Sequence, residues 1–495
     1  MPYSFSLGMT YSTCDSRESS KRRLTAAFLF SYHMAIRGSG DVVAAESIRF
    51  RQTKEAGMIT NVLNFGLGVS VADFNNDSWP DLYVGNDYYE QDYLYINQKD
   101  GTFSEQLSKY FDHVSLSTMG TDAADFDNDG YIDLMTLDMY PEDNYGQKLV
   151  AGPDNYDKVS ILKNTGFYHQ SSRNMLQLNN HGSFFTEIGQ YAGVFSTNWS
   201  WAPLLCDFDN DGNKDLYITN GYGRNNTHMD FLMLTVDQVI KKQKGEPVMP
   251  RMSFIEKIPA TVLKNYIFKN NGDLTFNNVT ESWGDEIPSL SNGAAYADLD
   301  NDGDMDLVVS RINDYAFIYR NNSNKLNPNH FLKIRFDGIG LNKGGIGAKV
   351  EVTCNGQTYT QEFMPSRGYM SSMNHELIFG LGKANTVDEL KVTWPDLREQ
   401  LLTAVGIDRT TGRHTGGKGG GAGRIVRPRH TARQLRPGYG HILFRRGSFC
   451  DRGYPAHRRP GRRPIRRACA DRHWLLRMGR VGQRRRLAAY SQRQG

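Results

Sequence analysis

Short apolar runs separated by polar turn residues recur along residues 47–322. The runs are rich in Val, Ile, Leu, Tyr and Phe and are only a few residues long, which is typical of strands. Each unit reads as a strand, a loop, two further strands and a turn into the next unit. Serial copies of a four-stranded antiparallel unit predict a β-propeller. The expected fold class is therefore all-β, with about four recognisable blades and an incomplete ring.

The loop after the first strand of each unit carries a common pattern of oxygen-bearing side chains. In residues 125–133, carboxylates occupy the first, third, fifth and ninth positions and Gly130 the sixth. Ca²⁺ prefers about six to eight oxygen ligands, and alternating carboxylates around a sharp glycine turn supply them. The four copies predict about four Ca²⁺ sites, with the following side-chain ligands: Asp73, Asn75, Asp77 and Asp81; Asp125, Asp127, Asp129 and Asp133; Asp207, Asp209, Asp211 and Asp215; Asp298, Asp300, Asp302 and Asp306.

Two other interpretations of these loops were considered. Clusters of Asp, Asn and Gly are also ordinary turn chemistry, but four copies in matching context argue against turns alone. An EF-hand needs Glu at position twelve, and no copy has one. An apolar run follows each loop, which predicts a strand and not an exiting helix. The loops are therefore expected to join strands.

Two insertions separate the later units. Successive loops begin 52, 82 and 91 residues apart. The longer insertion has helical spacing of apolar residues over 229–244, and a second helix is predicted over 254–263. Helices packed on the propeller are favoured over a partner-binding surface.

The end of the chain differs sharply in composition. From Ala404 onward the chain has 23 Arg and one Lys but only three Asp and no Glu, so these residues carry a net charge of +21. The residues before Ala404 carry a net charge of −17. Residues 404–495 have two interpretations. A disordered basic arm would bind nucleic acid through its phosphates. A reading-frame change is favoured, because Lys makes up 20 of the 34 basic residues before Ala404 but one of 24 after it.

Export and redox signals are weak. In residues 1–46, three basic residues at 21–23 precede an apolar stretch that loosely resembles a signal peptide, and a disordered or mis-assigned start is the alternative. The five cysteines have no CxxC or paired spacing, which argues against a disulfide framework or a zinc site. No run reaches the ~18 apolar residues of a membrane span.

Catalytic residues are not apparent. His113, His169 and His228 lack a partner set for metal or nucleophile chemistry, so structural or surface roles are expected. Trp199 and Trp201 could form a sugar-stacking platform, although packing in the propeller core is the commoner use of such rings. The chain is therefore not expected to be an enzyme.

Residues 47–322 resemble the FG-GAP/VCBS repeats of integrin α-subunits and bacterial surface proteins. Residues 328–403 resemble the ASPIC/UnbV domain that accompanies such repeats in the cartilage acidic protein family. The matching segments are 342–350 (NKGGIGAKV), 367–372 (RGYMSS), 379–382 (FGLG) and 392–396 (VTWPD). The resemblance implies a calcium-binding propeller followed by a small β-rich domain, at the cell surface or beyond. It adds backbone ligands at position seven of each loop and no catalytic residues: Trp79, Tyr131, Asn213 and Asp304.

Two departures from the family pattern stand out. Propellers of this kind usually close with about seven blades, and a ring with fewer leaves exposed edges. The ASPIC/UnbV pattern also stops near Ala404.

Three functions remain as hypotheses. The first is a non-catalytic calcium-binding scaffold for adhesion or for binding a surface protein or glycan, extracellular or at the cell surface. The second is a lyase-like, polysaccharide-processing enzyme on a calcium-binding propeller. The third, nucleic-acid binding through the basic tail, is disfavoured because it rests on residues 404–495 alone.

Overall fold

The computed structural model describes residues 56–59, 63–150, 156–225, 228–337, 342–408 and 441–443. The predicted N-terminal segment 1–46 lies outside these residues, as does most of the basic tail. Residues His441–Leu443 of the tail form a strand. Among the described residues, no helix is long and apolar enough to cross a membrane.

The first sheet shows how the repeating unit folds. Its strands are β1 (Asn64–Ala72), β2 (Asp81–Tyr88), β3 (Tyr93–Asn97) and β4 (Phe103–Glu105), hydrogen-bonded in chain order. β1 and β2 are antiparallel, and the first acidic loop is the turn between them. The four-residue α1 (Leu107–Tyr110) and the two-residue β5 (Val114–Ser115) then lead to the second sheet.

Three further sheets repeat this order. The second contains β6 (Thr121–Ala124), β7 (Asp133–Thr136), β9 (Met175–Asn179) and β10 (Phe185–Glu187). Its insertion carries α2 (Asn144–Val150), α3 (Tyr156–Asn164) and β8 (Gln170–Ser171), which pairs with β5, and α4 (Gly189–Ala192) follows β10.

The third sheet contains β11 (Ser200–Cys206), β12 (Asp215–Asn220), β13 (Tyr266–Asn270) and β14 (Phe276–Asn278), followed by α7 (Thr280–Trp283). The fourth has three strands, β15 (Ser291–Ala297), β16 (Asp306–Arg311) and β17 (Phe317–Tyr319), followed by α8 (Ser323–Leu326). The prediction of an all-β fold with four serial units is confirmed.

The helices of the third sheet's insertion differ from the prediction. α5 covers Met229–Gln243 as expected, but α6 covers Arg251–Glu256 and not 254–263. Pro259 lies inside the predicted range and would disrupt a helix interior. Thr261 instead forms a β-bridge with Tyr222. Contrary to the expectation that the apolar residues of α5 pack inward, only Phe231 is buried in this helix, and five other apolar residues are 41–62% exposed: Leu232, Met233, Val236, Val239 and Ile240.

Apolar side chains join neighbouring sheets face to face. The second residue of the first three acidic loops is Phe, and each ring is buried in one of these cores: Phe74, Phe126 and Phe208. The Phe74 ring lies 6.0 Å from that of Phe185 in the second sheet, and Phe126 lies 5.9 Å from Phe276 in the third. In each of these three loops, one residue therefore fixes the loop to a buried inter-sheet core.

The C-terminal region forms a second β-rich body. A four-stranded sheet contains β19 (Lys349–Cys354), β20 (Gln357–Glu362), β24 (Val387–Thr393) and β25 (Glu399–Val405). A three-stranded sheet contains β18 (His330–Asp337), β23 (Glu376–Gly382) and β26 (His441–Leu443). The alternating burial of β19 places Val350, Val352 and Cys354 in a shared core, because successive side chains of a strand point to opposite faces.

A hairpin of this second body reaches into the repeat region. Its strands are β21 (Ser366–Arg367) and β22 (Ser371–Ser372), and Gly368 forms a β-bridge with Thr121 of β6. The Arg367 guanidinium contacts Asp122 at 2.6 Å through Nε and 2.9 Å through Nη2. The backbone N–H of Leu205, on β11, donates to the same carboxylate at 2.7 Å. The hairpin therefore joins the first strands of the second and third sheets.

Candidate metal centres

The acidic loops share one pattern of side-chain-to-backbone hydrogen bonds. In the second loop, Asp125 accepts hydrogen bonds from the N–H groups of Asp129 and Gly130, both at 3.1 Å. The first Asp of each other loop accepts the same pair of bonds from its fifth and sixth residues: Asp73, Asp207 and Asp298. This carboxylate therefore folds the loop back so that its oxygen-bearing side chains converge.

The backbone of each loop is left-handed at the fourth and sixth positions. The fourth residue is always Asn, with φ between 56° and 62°: Asn76, Asn128, Asn210 and Asn301. The sixth is Gly with φ between 90° and 99° in three loops, and Ser78 with φ 68° in the first. Asn and Gly adopt this conformation more easily than other residues, so the composition of the loops is explained by their geometry.

The ninth Asp of each loop is buried and accepts two backbone hydrogen bonds. Asp133 is fully buried and accepts hydrogen bonds from the N–H of Phe126 at 3.1 Å and of Asn179 at 2.8 Å. The equivalent carboxylates are 0–2% exposed and accept bonds from the same two positions: Asp81, Asp215 and Asp306.

Three of the loops bring carboxylate oxygens within 4.8 Å of one another. The groups are Asp125, Asp127 and Asp133; Asp207, Asp209 and Asp215; and Asp298, Asp300 and Asp302. In the first loop the third ligand is Asn75, whose Nδ2 donates to Asp77 at 3.1 Å, and no group of three acidic residues forms there among the described residues. The side chain of Asp304 accepts hydrogen bonds from Ser323 and Asn324 of α8.

The electrostatics of the loops favour a bound cation. Burial and nearby carboxylates raise the pKa of Asp125 to about 7, and burial raises that of Asp207 to about 7. Burial also raises the pKa of Asp133 and Asp215 well above the usual range. Within the described part of the chain, three buried carboxylate oxygens of the loops have no hydrogen-bond partner: Asp209 Oδ1, Asp302 Oδ1 and Asp304 Oδ1. Oxygen ligands, converging carboxylates and unpartnered oxygens all fit a hard cation such as Ca²⁺.

Basic side chains neutralise part of this charge. Lys269 pairs with Asp209 and, at 2.8 Å, with Asp211. Arg320 pairs with Asp300 and Asp302 of the fourth loop, and Lys99 lies 3.1 Å from Asp77 of the first.

The second body contacts all four loops. Glu362 on β20 accepts a hydrogen bond from the N–H of Asp73 at 3.1 Å, and Lys333 on β18 pairs with Asp298. Further polar contacts link the same body to the second and third loops: Gln357 to the carbonyl of Asn128, and Gly382 to the carbonyl of Asn210. The rim formed by the acidic loops is therefore covered by the C-terminal region.

The tryptophan pair and His113 have structural surroundings. Trp199 and Trp201 are each 9% exposed; Trp199 stacks on Tyr222 with ring centroids 3.8 Å apart, and Trp201 donates to the carbonyl of Gly221 at 2.7 Å. Core packing therefore describes them better than a sugar platform. His113 lies 3.5 Å from Glu187, which also pairs with Arg173.

In the absence of Ca²⁺, stability is expected to fall as pH rises from about 4 to about 7. The reason is that the folded state keeps protons on Asp125 and Asp207, whose pKa values are about 7, while the unfolded chain loses them near the ordinary aspartate pKa of 3.8. With saturating Ca²⁺ this slope should be reduced or reversed, because the cation binds the ionised carboxylates.

Urea unfolding midpoints at several pH values, with Ca²⁺ and with chelator, measure both slopes. Buried Asp92, with a pKa raised to about 7, lies outside the loops and contributes equally to both profiles. Two parallel profiles would contradict the expectation.

Parts of the sequence match two known protein families. Residues 73–136 and 261–309 match the FG-GAP-like repeat, and residues 338–416 match the ASPIC and UnbV family. The chain is therefore an all-β protein with segments similar to FG-GAP-like repeats and to the ASPIC and UnbV family, which confirms the resemblance seen in the sequence.

The curated relatives are similar at low identity. Cartilage acidic protein 1 of Homo sapiens is 24% identical over 346 residues, which cover 67% of this chain and 41% of that protein. Its Mus musculus counterpart is 25% identical over 343 residues, covering 67% of this chain and 42% of that protein. The chain thus spans about two fifths of the length of these relatives.

Two further similarities are shorter or weaker. Integrin alpha-3 of Mus musculus is 35% identical over 81 residues, which cover 14% of this chain and 8% of that protein. Among solved structures, the V. cholerae biofilm matrix protein Bap1 aligns with a TM-score of 0.20 and 11% identity over 70% of this chain and 61% of that one. A score this low carries no argument about the fold.

Proposed function

We propose that the protein is a non-catalytic, Ca²⁺-stabilised scaffold that binds a protein or glycan at the cell surface or outside the cell. The observation that carries the calcium assignment is the convergence of buried carboxylates in three loops, with unpartnered oxygens on Asp209, Asp302 and Asp304. The bound cation would neutralise carboxylates that otherwise repel, and it would fix the turn between the first two strands of each sheet. The similarity to integrin alpha-3 and cartilage acidic protein 1 supports the adhesion-type role.

The ligands proposed for each loop are those predicted from the sequence. The first, third, fifth and ninth side chains would bind the cation together with the backbone oxygen of position seven. Asp209 and Asp300 are held by Lys269 and Arg320, so a cation would have to displace these side chains or share the carboxylates with them.

The ligand surface is proposed to lie on the rim away from the acidic loops. The loop rim is covered by the second body, whereas the opposite end of the β1–β2 hairpin carries Phe65 and Tyr88, 56% and 55% exposed. Their rings lie 5.2 Å apart. Exposed aromatic side chains are common at protein and glycan contact surfaces because they offer a large rigid area.

No specific observation in the described residues supports the hypothesis of a polysaccharide-processing enzyme. Lys214, Glu362 and Arg367 line one cavity together, but Lys214 is only 5% exposed and Arg367 is bound to Asp122. Nucleic-acid binding would depend on the basic tail, most of which lies outside the described residues.

The full-length chain is expected to retain a subset of arrayed glycans or extracellular matrix proteins in Ca²⁺, and to lose at least tenfold of that binding when Phe65 and Tyr88 are both replaced by Ala. The exposed Phe184, in the turn between β9 and β10 at the opposite end of the strands, provides a matched aromatic control as Phe184→Ala. Release of unsaturated products from acidic polysaccharides would contradict the scaffold assignment. If the double variant retains these ligands as well as the unchanged chain does, Phe65 and Tyr88 are not part of the binding surface.

A further inference from the structure

Buried asparagines connect each acidic loop to the next. Asn270 at the end of β13 is 2% exposed, and its Nδ2 donates to the carbonyl of Lys214 at 3.1 Å and to that of Phe126 at 2.9 Å. Lys214 belongs to the loop of the same sheet, whereas Phe126 belongs to the loop of the preceding sheet. One side-chain amide therefore spans two neighbouring loops.

The same arrangement recurs at the other sheet boundaries. Asn179 donates to Ile132 of its own loop at 3.0 Å and to Phe74 of the preceding loop at 2.9 Å. Asn321 donates to Met305 of its own loop at 3.1 Å and to Phe208 of the preceding one at 2.6 Å.

Each of these asparagines also contacts the deepest carboxylate of its own loop. The backbone N–H of Asn179 donates to Asp133 at 2.8 Å, and that of Asn270 donates to Asp215 at 3.0 Å. Asp133 in turn accepts from the N–H of Phe126, whose carbonyl is bound by Asn270. A continuous hydrogen-bonded chain, the asparagine relay, therefore runs through the four loops in this order: Asp81, Phe74, Asn179, Asp133, Phe126, Asn270, Asp215, Phe208, Asn321 and Asp306.

We propose that Asn179, Asn270 and Asn321 are positioning residues that couple each cation loop to its neighbour, so that a cation bound in one loop strengthens binding in the next. The proposal rests on the proposed Ca²⁺ sites. A cation would draw on the ninth carboxylate, and in the relay a single asparagine separates the ninth carboxylates Asp133, Asp215 and Asp306 from the preceding loop. Because the relay residues are buried, apart from half-buried Asn321, and are hydrogen-bonded in series, a shift in one loop cannot be absorbed by water. Coupling of this kind is reciprocal between sites.

The first loop offers a direct probe and a matched control. Trp79 occupies its seventh position, so Tb³⁺ luminescence excited through this indole reports the first loop, and Trp79→Phe verifies the source. Asn97 is the equivalent of the relay asparagines in the first sheet. Its Nδ2 donates to Pro80 of its own loop at 3.0 Å, and no contact with another acidic loop is seen for it within the described ranges.

The test disables the second loop by Asp127→Ala, a residue outside the relay, and measures Tb³⁺ affinity at the first loop of the full-length chain. In the otherwise unchanged chain, affinity is expected to fall by about fivefold or more. In the Asn179→Leu background the same change should have no effect, because the link from Phe74 to Asp133 is absent. In the Asn97→Leu background the fivefold effect should persist.

A second comparison needs no change in the relay itself and covers the case in which Asn179→Leu does not fold. Asp209→Ala disables the third loop, which is two links from the first, and should weaken Tb³⁺ binding at the first loop less than Asp127→Ala does. Tb³⁺ binding at the first loop that is indifferent to both changes would overturn the relay while leaving the cation sites intact. Absence of both Trp79-sensitised emission and Ca²⁺ binding by calorimetry would instead overturn the sites and the relay together.

Discussion

Saturating Ca²⁺ is expected to raise the Tm of the full-length chain by more than ~10 °C over its value in excess chelator. A ligand that binds only the folded state contributes about 2.7 kcal/mol per site at a hundredfold excess over Kd. Three loops bring three carboxylates within 4.8 Å of one another, and several of these groups are buried, so the metal-free state carries an electrostatic cost that a bound cation would remove.

Calorimetry or circular dichroism in Ca²⁺ and in chelator measures this shift. The double variant Asp127→Asn, Asp209→Asn should lose about half of it, since it weakens two of the four loops. Asp273→Asn is the matched control, because Asp273 lies in an exposed turn and binds only Thr275. A cooperative transition with the same Tm in both conditions would show that the loops are ordinary turns.

Replacing Arg367 by Ala is expected to cost about 3–5 kcal/mol of unfolding free energy. The change would leave Asp122, 1% exposed, as an uncompensated buried charge between the first strands of two sheets. It would also remove hydrogen bonds from Nη2 to the carbonyls of Ala123 and Leu205, at 3.1 and 3.3 Å. The second body would thereby lose its charged anchor to the repeat region.

Urea unfolding of the full-length chain measures this cost. The double variant Arg367→Ala, Asp122→Ala should recover part of the lost stability, because no charge is then left unpaired. Arg398→Ala removes an ion pair with Asp396 at the surface of the same body and should change stability by less than about 1 kcal/mol. Equal effects of the Arg367 and Arg398 changes would contradict the anchoring role.

The acidic loops and most strands could be predicted from the sequence because their signals are local. The nine positions of residues 125–133 contain the carboxylate spacing, the Asn–Asp–Gly turn and the start of β7, so neighbouring residues alone encode that turn. The helical spacing of apolar residues, also a local signal, predicted α5 correctly. It failed for α6, where helical spacing continued past Pro259 although the chain there bridges back to Tyr222.

The relay asparagines and the Arg367 anchor could not be assigned from the sequence. Asn97, Asn179 and Asn270 each end the third strand of a sheet, and Asn321 lies two residues beyond β17. This position is a detectable signal, but it gives no partner. Asn270 and its acceptor Phe126 are 144 residues apart, and Arg367 and Asp122 are 245 residues apart.

The sequence by itself therefore determined the repeating strands, the four acidic loops and the chemistry of their ligands, because these depend on residues within a few positions of one another. Only the tertiary structure decided which loops gather three carboxylates, how each loop is joined to the next through a buried amide, and which rim the second body covers. Those features depend on side chains that meet when separate sheets pack, and spacing along the chain does not encode that packing.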